Sequence, residues 1–140
     1  MPAGMDIDSL NRFLRSSFSD DPGTVVELSD RHALLKLSTQ ERHLRPGGTI
    51  SGPTMMGLAD AAMYALILGN LGAVALAVTT SLNINFYRKP EPGVLWAKAS
   101  MLKLGKRLAV GEVLLHSGKP EESVAHVTLT YSIPPNDGSD

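Results

Sequence analysis

The chain contains no cysteine, which excludes a disulfide framework, a thiol nucleophile and a cysteine-ligated zinc site. Net charge is also close to absent, since 13 Lys and Arg stand against 14 Asp and Glu for a formal −1. That balance implies neither a basic face for nucleic acid nor an acidic tail for a basic partner. The four histidines, His32, His43, His116 and His126, show no HxxH or HExxH spacing, so no metal site is expected. The opening MPAGMDIDSL lacks the basic and apolar regions of a signal peptide, and the expected location is cytoplasmic. A length of 140 residues suits a single domain, 1–140, with a core of its own.

What the sequence does have is one long apolar run, Pro53 to Val78, longer than the roughly 20 residues a membrane helix needs. Gly69-Asn70-Leu71-Gly72 carries a helix stop, and the residues after it turn β-branched and then alternate. The run is therefore read as two elements, neither able to span a bilayer, with no basic cluster beside it, and no membrane partner is expected. Asp60 is the only charged residue in it. Removing an ionised carboxylate from water costs several kcal/mol unless partners compensate, so Asp60 is the leading candidate for a functional residue.

Around that run the pattern is α+β. Ile7, Leu10, Phe13, Leu14 and Phe18 recur at helical spacing behind Asp6 and Asp8, predicting an amphipathic helix within residues 1–19. Strand-like runs follow at Thr24–Leu28 and His32–Leu37, joined by a Ser29-Asp30-Arg31 turn. Ser38 to Pro53 reads as loop. Pro53 suits the first turn of a helix with Ser51 or Gly52 as its N-cap, and the helix is expected from about Pro53 to Leu68. Its apolar residues lie nearly all round, as in a helix buried on most sides. A strand from Ala73 to Tyr87, with Leu82, Ile84 and Phe86 on its buried face, precedes a meander at Val94–Leu104, Arg107–Leu115 and Ser123–Ile133. A disordered tail is expected over 134–140. A sheet that must cover one apolar helix is expected to curl around it, and with no second helix for the opposite face, self-association follows.

The ordered set SGPTMMGLADAAM, SLNINFYRKP and GKRLAVGEVLL resembles the hotdog-fold acyl-CoA thioesterases of the PaaI-like branch over about His43 to Ile133. The resemblance implies a curved antiparallel sheet around a central helix and hydrolysis of an acyl-CoA thioester at a dimer interface. Coenzyme A enters as part of the substrate and no cofactor is implied. It implies catalytic roles for Asp60, as nucleophile or general base, for the Gly52 N–H as oxyanion donor, and for the Thr79 hydroxyl as an orienting group. Ser51-Gly52-Pro53 stands where many relatives have His-Gly-Gly, and Arg45 where several have Asn. Arg45 and Ser51 are accordingly assigned to substrate binding. Met56 and Met63 are candidates for an acyl pocket, and Lys106 and Arg107 for the phosphates of coenzyme A. A homo-oligomer is expected, a dimer at least and a tetramer by the family's habit. Two alternatives are a non-catalytic acyl-CoA-binding protein and an enoyl-CoA hydratase or dehydratase pairing His43 with Asp60.

Overall fold

The computed structural model describes residues 4–74 and 76–135. Helix α1 (Ile7–Ser17) starts where the Asp6 side chain accepts the Ser9 N–H at 2.8 Å, and it buries Leu10 and Leu14 completely. Strands β1 (Thr24–Leu28) and β2 (His32–Ser38) form the expected hairpin, its turn held by the Ser29 hydroxyl, which accepts the N–H groups of Arg31 and His32. A short 3-10 turn, Glu41–His43, interrupts the loop before helix α2 (Gly52–Leu71). Strands β3 (Val78–Phe86), β4 (Val94–Leu104), β5 (Leu108–His116) and β6 (Ala125–Ser132) complete the chain.

All neighbouring strands pair antiparallel in one six-stranded sheet of order β1-β2-β4-β5-β6-β3. This α+β sheet curls around α2, so the helix has no polar stripe: eleven of its residues, including Met55, Leu58, Tyr64 and Leu68, are buried. α2 is long and apolar enough to cross a membrane, yet it is the core of the fold. The hotdog arrangement expected from the sequence is observed.

Two boundaries differ from expectation for physical reasons. The helix does not stop at Leu68, because Asn70 stays helical, donating through Nδ2 to the Leu66 and Asp30 carbonyls. Gly69 serves close packing: a Cβ there would lie 3.0 Å from a Leu28 methyl. The real stop is Gly72, at φ +85°, a backbone conformation that favours glycine. The chain then turns through Val74 and Ala77, so β3 begins at Val78 rather than Ala73. Of the expected disordered tail, Pro134 and Pro135 have no regular structure, and residues 136–140 lie outside the described ones.

Met63, a sequence candidate for the acyl pocket, is fully buried with its sulfur directly over Gly111 of β5. It fills the space between helix and sheet and lines neither of the two clefts described below. A Cβ at Gly111 would collide with the Met63 sulfur and approach the Ser100 carbonyl oxygen to 2.9 Å. Gly111→Ala is therefore expected to cost about 1–3 kcal/mol through overpacking, read as a lower urea midpoint at unchanged m-value. An unaltered midpoint would show that the helix and β4 yield freely.

Candidate active site

Asp60 lies in the middle of α2, partly exposed at the floor of a cleft of about 480 Å³ lined by Ser17, Phe18, Tyr64, Ala77, Val78, Thr79 and Tyr131. Its Oδ1 accepts two hydroxyl hydrogen bonds, from Thr79 Oγ1 at 2.6 Å and Tyr131 Oη at 2.7 Å. The Tyr131 hydroxyl also lies 3.1 Å from the Asp60 main-chain carbonyl. Among the described residues, Oδ2 accepts no hydrogen bond and no cation pairs with the carboxylate. Asp60 thus has one oxygen held and the other left for whatever enters the cleft.

Thr79 reaches Asp60 because of a bulge. Leu82, Ile84 and Phe86 face inward opposite Leu129, Val127 and Ala125, and strict alternation would turn Thr80 inward and Thr79 out. The register slips between Thr79 and Ser81, leaving Thr80 unpaired in the ladder, with its hydroxyl donating to the Thr130 carbonyl at 3.2 Å. Parity inverts there, and Thr79 comes to lie inward opposite Tyr131.

Tyr131 was not singled out from the sequence. A signal existed: it occupies a buried-face position between Leu129 and Ile133, and a tyrosine hydroxyl on an apolar face requires a partner inside. The residue is 2% exposed and its ring stacks on Tyr64, centroids 6.1 Å apart. Tyr64 in turn meets Phe18 at 6.2 Å, so α1 contributes one wall of the cleft. Burial, reinforced by the Asp60 carboxylate, pushes the Tyr131 hydroxyl far above the ordinary tyrosine range. It therefore stays protonated and remains a donor.

Gly52 is elsewhere. It is the first residue of α2, eight residues before Asp60, which at 1.5 Å per residue is about 12 Å along the axis. It lines a second cleft, about 430 Å³, with Arg45, Met55, Phe86, Tyr87, Arg88 and Lys89. As a first-turn group its N–H has no intrahelical acceptor. Ser51 is the N-cap, its hydroxyl 3.3 Å from the Thr54 nitrogen, and Pro53 occupies the first turn as expected. Arg45 is exposed and, among the described residues, has no ion-pair partner. Met56 projects from the same end of the helix, 38% exposed.

Lys106 and Arg107 are exposed in the β4–β5 turn. The row Leu104, Ala109, Tyr131, Thr79 runs across β4, β5, β6 and β3, so this turn lies at the Asp60 end of the sheet without lining the Asp60 cleft. His43 is buried, and its Nδ1 accepts the Gln40 N–H at 2.8 Å. It closes the 3-10 turn and lines neither cleft.

A curled antiparallel sheet around a helix whose central carboxylate faces an open cleft places the molecule in the hotdog class. Within that class the chain belongs to the thioesterase superfamily, whose family model matches residues 47–124, and it is a thioester hydrolase. A structure from Silicibacter sp. TM1040, named a "putative thioesterase", is 48% identical, covers 96% of each chain and has a TM-score of 0.86. The phenylacetic acid degradation protein PaaI of Thermus thermophilus shares the fold at 24% identity, over 88% of this chain and 99% of its own, with a TM-score of 0.71. A "hypothetical thioesterase protein with coenzyme A" from Streptococcus pneumoniae does so at 17% identity, over 93% and 98%, with a TM-score of 0.75.

Proposed function

We propose that this protein hydrolyses acyl-CoA thioesters to the free acid and coenzyme A, with Asp60 as nucleophile or general base. The observation that carries this reading is the Asp60 carboxylate, which lines the cleft and is fixed through Oδ1 by Thr79 and Tyr131, while among the described residues Oδ2 accepts no hydrogen bond. As general base, Oδ2 takes a proton from water as the water oxygen bonds to the thioester carbon. The carbonyl oxygen gains negative charge, the carbon–sulfur bond then breaks, and the proton passes to the departing thiolate. As nucleophile, the carboxylate displaces the thiolate itself and water cleaves the resulting anhydride. The presence of coenzyme A with the pneumococcal neighbour supports this choice of carrier.

The oxyanion donor in this reading is the Gly52 N–H, with Arg45 beside it for a phosphate or carboxylate of the substrate. Gly52 and Asp60 line different clefts of one chain, so the reading requires a second copy. Strand β3 is an edge strand whose inward residues Leu82 and Ile84 are half-buried and whose Phe86 is 52% exposed. Such an edge invites pairing, and the reading assigns β3 to a dimer seam with its counterpart, across which each Asp60 would work with the Gly52 of the other subunit. We assign Lys106 and Arg107 to the substrate's phosphates, and the protein to the cytoplasm as a dimer or as a tetramer built from two dimers. No cofactor is required.

The test is release of free thiol across a panel of short, medium, long and aromatic acyl-CoAs. Turnover of at least one member is expected. Saturable binding without thiol release would replace the hydrolase with an acyl-CoA-binding protein, and a chain inert in both assays would remove the acyl-CoA reading.

A further inference from the structure

We propose that Tyr131 is a positioning residue for the thioester chemistry, the group that fixes the orientation of the Asp60 carboxylate so that one oxygen is held and the other is free to react. This rests on the acyl-CoA hydrolase reading above. Thr79 alone leaves the plane of the carboxylate loosely set, because a single hydroxyl donor can follow the group as it rotates about its Cβ–Cγ bond. Tyr131 removes that freedom. Its hydroxyl sits between Oδ1 and the carbonyl oxygen of Asp60 itself, at 2.7 and 3.1 Å, so it ties the carboxylate to the peptide unit from which it hangs. The ring cannot move away to release the clamp, being 2% exposed and stacked on Tyr64.

Three elements therefore converge on one oxygen: α2 supplies the carboxylate, β3 the Thr79 hydroxyl through its bulge, and β6 the Tyr131 hydroxyl. The titratable groups lining the cleft are Asp60 itself, Tyr64 on the same helix and Tyr131 on β6; the rest of the lining is Ser17, Phe18, Ala77, Val78 and Thr79. Among the described residues no cation pairs with the carboxylate, and its side-chain donors are the two hydroxyls. Both are spent on Oδ1, which leaves Oδ2 as the atom that meets water or substrate. Holding the reacting atom in a near-attack geometry acts on turnover rather than on binding.

Tyr131→Phe deletes the hydroxyl and keeps the stacked ring. Its kcat on the best acyl-CoA is expected to fall about tenfold or more, since hydrogen bonds to charged groups are the strong ones, while KM stays within about twofold. The effect must pass through the carboxylate: in an Asp60→Asn background, Tyr131→Phe is expected to leave the residual rate unchanged, the non-additivity of residues acting as a unit. A merely structural tyrosine would depress both backgrounds alike. A readout independent of turnover is the Tyr131 hydroxyl proton, expected as a slowly exchanging downfield NMR resonance in the wild-type protein. It is expected to vanish in Tyr131→Phe and to move upfield in Asp60→Asn, whose neutral amide is the weaker acceptor.

An unchanged kcat in Tyr131→Phe, an equal loss in both backgrounds, or a hydroxyl resonance indifferent to Asp60→Asn would each overturn the inference. If Tyr131→Phe does not fold, the wild-type and Asp60→Asn spectra decide it. Failure of the wild-type protein to release thiol from any acyl-CoA would instead sink the hydrolase reading, with the resonance still deciding whether Tyr131 holds the carboxylate.

Discussion

Asp60→Asn is expected to lower thiol release by about a thousandfold, within the 10²–10⁴ range that positioned acid–base groups contribute, and to leave the fold intact. The substitution is nearly isosteric. The amide oxygen can take the place of Oδ1 and still accept from Thr79 and Tyr131, so the hydrogen-bonded half of the side chain survives. What changes is the free half: an NH2 group replaces Oδ2, and it can neither take a proton from water nor attack a carbonyl carbon. The check is kcat on the best acyl-CoA beside thermal unfolding and coenzyme A binding. A variant that folds, binds and still turns over near the wild-type rate would remove Asp60 from the chemistry.

Gly52→Pro is expected to cost about 10²–10³ in kcat, the usual consequence of losing one oxyanion donor. Proline at the first helical position suits α2. Ser51 is already extended at φ −75°, ψ 154°, as a residue before proline must be. The N–H is lost, while the crowding of a new Cβ against Phe86, whose ring edge lies 3.3 Å from the β-carbon position, and against the ring of Pro53, which disfavours a helical residue before it, is shared by Gly52→Ala, which keeps the donor and serves as the control. Combining the two inactive chains gives a sharper result. In a two-fold dimer whose sites each take Asp60 from one subunit and Gly52 from the other, each mixed dimer carries one intact site. Refolding equal amounts of Asp60→Asn and Gly52→Pro chains together is then expected to restore about a quarter of wild-type turnover, because half the dimers are mixed and each has one good site of two. No recovery would mean that Gly52 and Asp60 do not meet across a dimer.

The fold was legible in the sequence wherever periodicity was unbroken. The all-apolar helix around Asp60, the β1–β2 hairpin and the β4–β5–β6 meander follow from runs whose alternation has one solution. Legibility ended where a residue serves packing rather than local structure. Gly69 reads as a stop in isolation, yet it is a seat for Leu28; Met63 reads as a flexible pocket residue, yet it fills the hollow over Gly111. The site divided in the same way. Asp60 was conspicuous as a charge among apolar residues, and Thr79 came through resemblance. The bulge that turns Thr79 inward is a two-strand property, written in neither strand alone. Tyr131 lies 71 residues from Asp60, and only its place on the buried face of an alternating strand hinted that its hydroxyl must find something polar inside.

That separation ties the chemistry to the order in which the molecule folds. Helix α2 can form from local contacts, but the clamp on its carboxylate needs β3 paired with β6 and joins residues 71 apart, about half of the chain. Contacts of such long sequence separation are slow to form because the loop they close must first lose its freedom. A collapsed intermediate can thus hold its central helix and much of its core while Asp60 remains unanchored. Regain of turnover on refolding is a clock for the final closure of the sheet, set later than any signal from the helix.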